Sequence, residues 1–263
     1  MMALIGLIVG LACLVAALNA ESGHLSAFLS LPAFLIVVGG SLGATLIGFG
    51  FGELGEALGG LRRATGSGTT RRARAVRVLN RYSMLFRHYG AVRLEKELEK
   101  ECDPFLRAGL ERIVEGTGED LLREILALHG ERELRTLNVW ERFFECLGGY
   151  APTFGIVGTV MGLVGVLGKL DQPEHLAMGI AAAFVATFYG ILFANLVFLP
   201  MAERCRHLAR KQADFLDFLT VGLISVCREE PPRLLNERLQ AHQGRAPVPE
   251  RARAEEARVA YLN

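Results

Sequence analysis

Thr159 and Thr187 are the residues whose placement most invites chemistry, because each puts a hydroxyl inside a long uncharged apolar run. Such a threonine can bond a carbonyl of its own preceding turn, or it can line a hydrated path and replace part of an ion's water shell. The groups that would complete an ion relay are missing. Neither run contains Asp, Glu, Lys, Arg or His, and an ion route through lipid needs an ionisable or densely polar site. If ions pass, the titrating carboxylate has to come from a partner helix.

Other chemistries find little support. Gly50-Phe51-Gly52-Glu53-Leu54-Gly55 matches a dinucleotide fingerprint in letters only, since it follows an apolar run rather than a strand and opens no βαβ unit. No phosphate-binding loop ending in Lys-Ser/Thr, no G-x-S-x-G and no H-E-x-x-H occurs. The six His are scattered. Cys13, Cys102, Cys146, Cys205 and Cys227 form no C-x-x-C pair and read as small apolar fillers. No enzyme, no metal site and no organic cofactor is expected.

The elements that must carry the two hydroxyls follow from how charge is segregated. Of 263 residues 51% are hydrophobic and 22% charged, yet the mean hydropathy is +0.30. A soluble chain this charged averages below zero, so apolar and charged residues occupy different stretches. Four stretches carry no charge: Met2 to Leu18, Leu31 to Phe51, Leu147 to Gly168 and Leu176 to Met201. Each is about the 17–25 residues a membrane helix needs. The first lacks the basic start of a secretory signal and is followed at once by a second apolar run, which favours a retained helix. Pro32 suits the first turn of the second helix. Gly155, Gly158, Gly162 and Gly165 fall three and four apart on the third, and Gly179, Ala183, Ala186, Gly190 and Ala194 do so on the fourth. These small-residue stripes let helices approach within the chain or between copies.

Between Glu53 and Glu145 the composition turns to Arg and Glu with apolar residues at helical spacing. Gly66 to Thr70 reads as a loop, and Arg71 to Glu101 as one long helix with Val76, Leu79, Tyr82, Leu85 and Phe86 as its stripe. Asp103-Pro104 ends that helix and opens another, and Thr117 to Asp120 offers the start of a third. After the last apolar run an amphipathic helix passes through Leu216, Leu219 and Leu223, and the Pro/Arg-rich segment from Pro231 is expected to be disordered. The fold expected is an all-α integral membrane protein of four transmembrane helices, with a helical cytoplasmic domain inserted between the second and third. Its parts are residues 1–52, 53–146, 147–201 and 202–263. Lys and Arg number 17 in 53–145 and 11 in 201–263, against one, Lys169, near the third connection. Positive charge therefore puts the middle segment, the tail and both termini in the cytoplasm. A net charge of +1 and sparse aromatics give no nucleic-acid surface.

Several runs resemble one family. Gly149-Tyr150-Ala151-Pro152-Thr153-Phe154-Gly155-Ile156-Val157-Gly158-Thr159-Val160-Met161-Gly162-Leu163 looks like the third membrane helix of the MotA/PomA family of flagellar stator subunits. Residues Ala186 to Pro200 resemble its fourth helix, and Pro32 to Ala44 its second. Arg87-His88-Tyr89-Gly90-Ala91-Val92-Arg93-Leu94-Glu95 fits its cytoplasmic Arg, Gly and Leu-Glu spacing. The resemblance extends to about Glu230. It implies a bacterial inner-membrane ring of five copies around a dimer of a MotB-type partner, whose helix brings the essential Asp. Ion passage would then turn the ring and push the rotor switch protein FliG.

By position, the resemblance makes Arg87 and Glu95 the rotor-facing charges, with Arg93, Glu97 and Glu99 as weaker candidates. Pro152 and Pro200 become the coupling prolines, Thr159 and Thr187 the ion path, and Gly155, Gly158, Gly162, Gly165 and Gly190 packing positions. Eight residues turn a helix by about 800°, so on a continuous helix Arg87 and Glu95 share a face. Pro152, which disfavours helix at Ala151, is expected to set where the third span begins. Sodium-driven members tend to carry a Thr pair where this chain has Ala186-Thr187, so the coupling ion expected is a proton, with sodium as the alternative. A subunit like ExbB or TolQ, which energises the cell envelope, is the rival, but has one span rather than two before the cytoplasmic domain.

Overall fold

A computed structural model describes residues 2–20, 28–50, 68–168 and 173–242. Among them there is no strand. Helix α1 is Met2–Ala20 and α2 is Leu31–Gly48, the latter containing a π-helical stretch at Leu35–Gly39. Then come α3 (Gly68–Leu98), α4 (Pro104–Val114) and α5 (Glu119–Leu167). Helix α6 (Pro173–Phe193) leads through a π-helical stretch, Ala194–Phe198, into α7 (Leu199–Cys227), and α8 is Pro232–His242. Three helices are long and apolar enough to cross a membrane among the described residues, and α1 holds a shorter apolar stretch, Ile8–Ala17.

The chain divides into two compact units. The first joins Met1–Ala64 to Arg135–Ala209, and the second joins Thr65–Leu134 to Arg210–Asn263. The division after Leu134 falls inside α5 and the one after Ala209 inside α7, so each of these helices passes from one unit into the other, and the limits differ from 53–146 and 202–263, which follow composition.

In the first unit, Val37, Phe143, Leu147, Ala151, Ala194 and Phe198 form one buried cluster, and Ala33, Val185 and Ala186 a second. Trp140, Phe143, Phe144 and Phe49 meet edge to face or tilted beside it. Large apolar side chains also lie outward, among them Val164 (64% exposed) and Phe184 (62%), as suits a surface that faces lipid or other helices. The second unit has a core of Leu79, Leu94, Leu110, Leu126, Phe218, Leu223 and Leu235.

Four expectations need correction. The segment 68–70 is helical rather than loop, while 66–67 lies outside the described residues. Pro152 does not begin a helix but sits inside α5, because the buried Ala151 and the close approach of Gly190 to Ala151 and Pro152 hold the backbone helical there. That packing has to offset about 3 kcal/mol for a proline in a helix interior. The stretch after Pro231 is not disordered as far as His242: it forms α8, whose Leu235 and Leu239 are buried in the second unit's core, while 243–263 lies outside the described residues.

The fourth correction concerns α3, which is broken at Gly90 (φ 69°, ψ −168°), a backbone conformation essentially reserved for glycine. The limbs 68–89 and 91–98 fold back on each other. Arg81 pairs with Glu97, and Tyr82 Oη donates to Glu101 Oε2 at 3.0 Å. On a straight helix, residues sixteen apart would be about 24 Å apart. Leu94 and Leu98 of the second limb are thereby buried with Leu79 and Tyr82 of the first.

Candidate functional site

Helices α5 and α6 pack closely because glycine lets their backbones touch. A methyl group at Gly190 would lie 2.7 Å from the Ala151 carbonyl oxygen, and one at Gly155 would lie 3.0 Å from the Ala186 carbonyl oxygen. At Gly158 it would meet the Ala186 Cβ at 2.7 Å, and at Gly162 the Ala183 Cβ at 2.8 Å. Gly165 differs from the rest of its stripe: nothing lies within 4 Å of the position its Cβ would take.

This close approach brings Thr159 and Thr187 together. Their hydroxyls bond each other, Thr159 Oγ1 also reaches the carbonyls of Gly155 and Ala183 at 3.1 Å each, and Thr187 Oγ1 reaches Gly155 O at 3.4 Å. The first reading of a membrane threonine is realised for Thr159, and the pair adds a bond across the helices. Thr159 bonds its own preceding turn, and two hydroxyls with two carbonyls make a four-oxygen cluster across the helix pair. The cluster holds two hydroxyl protons and no carboxylate, so it can orient or partly desolvate a cation but cannot itself take up charge.

Both prolines lie toward one end of this packing, the end where Gly190 meets Ala151 and Gly148 meets Leu199. Pro152 touches Gly190, as described, and Pro200 follows the π-helical stretch. There Leu199 N–H bonds Ala194 O, and the next residue, Pro200, has no N–H to give. Sequence reading missed two tethers of the first unit. Tyr189 Oη donates to Phe28 O and accepts from Ser30 N, and Arg206 gathers Glu141, Glu145 and Glu203.

In the second unit Arg87, Arg93, Glu95 and Glu99 are all exposed, and none has an ion partner among the described residues. Arg87 and Glu95 lie on opposite limbs of the hairpin at Gly90, so they do not share the face of one continuous helix. Glu97 differs: it is 8% exposed and paired with Arg81 and with Lys100, the latter at 3.0 Å. The Lys100 hydrogen bond, helped by Arg81, holds its carboxyl below the usual carboxylate range. Its acceptors are engaged inside the chain, which makes it a stay of the hairpin. Gly90 carried a signal that could have been read, a lone glycine within a charged helical pattern.

Residues 4–91 match the Motility protein A N-terminal description, and residues 97–217 match the MotA/TolQ/ExbB proton channel family. Motility protein A of Treponema phagedenis is 30% identical, the alignment covering 82% of this chain and 84% of that one. The chain belongs to the motility protein A family. The chemotaxis protein PomA of Vibrio alginolyticus is 29% identical over 90% of this chain and 92% of its own. Among solved structures, the MotAB of C. jejuni superposes with a TM-score of 0.81 at 21% identity, covering 92% of this chain and 94% of that chain. The flagellar MotAB stator complex from Bacillus subtilis gives 0.78 at 24%, covering 97% and 99%. At these identities the two structures speak for the fold. The membership sets the chain in a channel family rather than an enzyme family.

Proposed function

We infer that this chain is the ring subunit of a flagellar stator, built around a MotB-type partner whose helix brings the ion-binding Asp. The observation that carries the reading is the Thr159–Thr187 oxygen cluster in a helix pair that has no carboxylate of its own. A site able to guide a cation but not to titrate requires a charged helix from elsewhere. The likeness to MotAB complexes supports that partner and an assembly of several copies, five in this reading, around a dimer of it.

In this reading four helices span the bacterial inner membrane in contact with lipid, with the second unit and both termini in the cytoplasm. Ion arrival at the partner's Asp shifts α5 against α6, with Pro152 and Pro200 as the places where the helices give. The ring turns, and Arg87 and Glu95, with Arg93 and Glu99, engage the rotor protein FliG. Exposed ion pairs are individually weak, about 0–1 kcal/mol, which suits repeated engagement and release. The coupling ion is a proton. Sodium is the second reading, because four oxygens linked through the two hydroxyls supply more ligands than one threonine does.

The test is motility in a strain lacking its own stator. Reversing both charges, Arg87→Glu with Glu95→Arg, is expected to impair swimming while the partner still co-purifies. Unimpaired swimming removes the rotor contact. Proton current through liposomes holding this chain alone would refute the partner-dependent path, and swimming that follows external sodium would decide for sodium.

A further inference from the structure

Three carboxylates from two helices converge on one guanidinium in the first unit. Arg206 of α7 donates from Nε to Glu141 Oε1 of α5 at 2.6 Å and from Nη1 to Glu203 Oε2 of its own helix at 2.8 Å. Its Nη2 donates to Glu145 Oε1 of α5. All three nitrogens are used, which only the planar fork of arginine permits. Glu141 and Glu145 are four apart and so stand on one face of α5. The Glu141 side chain is 18% exposed, and the neighbours of Arg206 on α7, Ala202, Cys205 and Ala209, are buried. The Arg206 side chain is itself 35% exposed, with Glu145 at 43% and Glu203 at 59%, so the cluster sits at the edge of a packed helix seam, most covered on its Glu141 side. Hydrogen bonding to Glu141, followed by its charge, pushes Arg206 above its usual range, in keeping with a cation held by excess acid.

The position matters because of what precedes it. Arg206 follows Pro200 by six residues, about 9 Å of helix. The π-helical stretch Ala194–Phe198 lies just before that proline. A π-turn and an α-turn differ by one residue of register, so α7 has a soft point immediately before the cluster. Same-helix pairing with Glu203 cannot hold that register, whereas pairing with two carboxylates of α5 can.

We propose that Arg206 is a positioning residue, a register lock that ties α7 to α5 through Glu141 and Glu145. With the lock closed, a shift at the π-stretch moves both helices together instead of being absorbed by sliding of α7. The functional half of this proposal rests on the stator reading, and the structural half does not.

The experiment uses the full chain co-purified with its MotB-type partner and reads amide exchange over residues 199–206. Arg206→Glu is expected to raise exchange about tenfold, the equivalent of losing one charge-assisted hydrogen bond. Arg206→Gln carries the same expectation and guards against misfolding by repulsion. The swap Arg206→Glu with Glu141→Arg restores the tie across the helices and returns exchange towards the original. The swap Arg206→Glu with Glu203→Arg, along one helix, does not. Unchanged exchange in Arg206→Gln, or equal rescue by both swaps, overturns the lock.

Swimming is scored in parallel. Impairment rescued only by the Glu141 swap supports the role in motion, and normal swimming despite raised exchange overturns it. Failure of the unmodified chain to restore motility tells instead against the stator reading.

Discussion

Thr159 and Thr187 bond each other across a helix pair, 28 residues apart in sequence. Thr187→Val keeps the volume and removes the hydroxyl, leaving Thr159 with its carbonyls. It is expected to cost about 1 kcal/mol in stability, to leave the subunit folded and to slow swimming; Thr187→Ser should swim normally. Equal swimming speeds for the two would show that the oxygen is unused. The glycines make a sharper contrast. Gly190→Ala drives a methyl against the Ala151 carbonyl and should abolish assembly as judged by co-purification of the partner. Gly165→Ala meets nothing inside the subunit, so its folding should be unaffected. The types of these residues were legible in the sequence. Their meeting was not, because three-to-four spacing gives a stripe but does not say which stripe of which helix it faces.

The break in α3 governs how far sequence periodicity could be trusted among the elements. The pattern of Val76, Leu79 and Tyr82 locates the first limb correctly. It cannot reveal that Leu94 and Leu98 return to the same core from the opposite direction, since that depends on one backbone angle at Gly90. Gly90→Ala is expected to cost about 1–3 kcal/mol and to displace Arg87 relative to Glu95, with swimming lost more steeply than protein level. Asp103-Pro104, by contrast, marks the opening of α4 in the sequence, and the structure adds that Asp103 caps it, accepting from Phe105 N at 3.1 Å and Leu106 N at 3.3 Å.

A further element effect is set by pH. Glu119, at the start of α5, is held at about 2 by hydrogen bonds from Arg228 and then Arg123, against an ordinary value of 4.5. A depressed carboxylate contributes stability above the unfolded value, and loses it as pH falls from about 4.5 to about 2. Thermal unfolding of the purified complex should therefore shift to lower temperature on acidification through that window. In Glu119→Gln this part of the pH dependence should vanish, although other carboxylates will keep their own.

At the scale of the whole molecule, charge segregation makes the membrane class legible from the order of residues alone, and the outward apolar residues such as Val164 and Phe184 are the same fact seen in three dimensions. The partition into units is less visible in the sequence, because composition changes inside α5 and α7 rather than at their ends. Reporter fusions should find both termini cytoplasmic and a site in residues 21–27 on the outer side; a cytoplasmic signal from that site would refute four spans. Truncation after Glu230 removes α8 and uncovers the core that Leu235 and Leu239 close, so the chain should fail to accumulate. A chain ending at His242 should accumulate normally.

That closure by α8 also constrains the order of events on the ribosome. The apolar faces of 68–134 emerge early, but the helices that cover them, 210–227 and 232–242, are made last, after two further apolar helical stretches have been synthesised. At about 5–20 residues per second, the 108 residues from 135 to the end of α8 at 242 take about 5–20 s to synthesise. For that interval Leu79, Leu94 and Leu110 wait without their partners, so newly made chains should depend on a chaperone until translation ends.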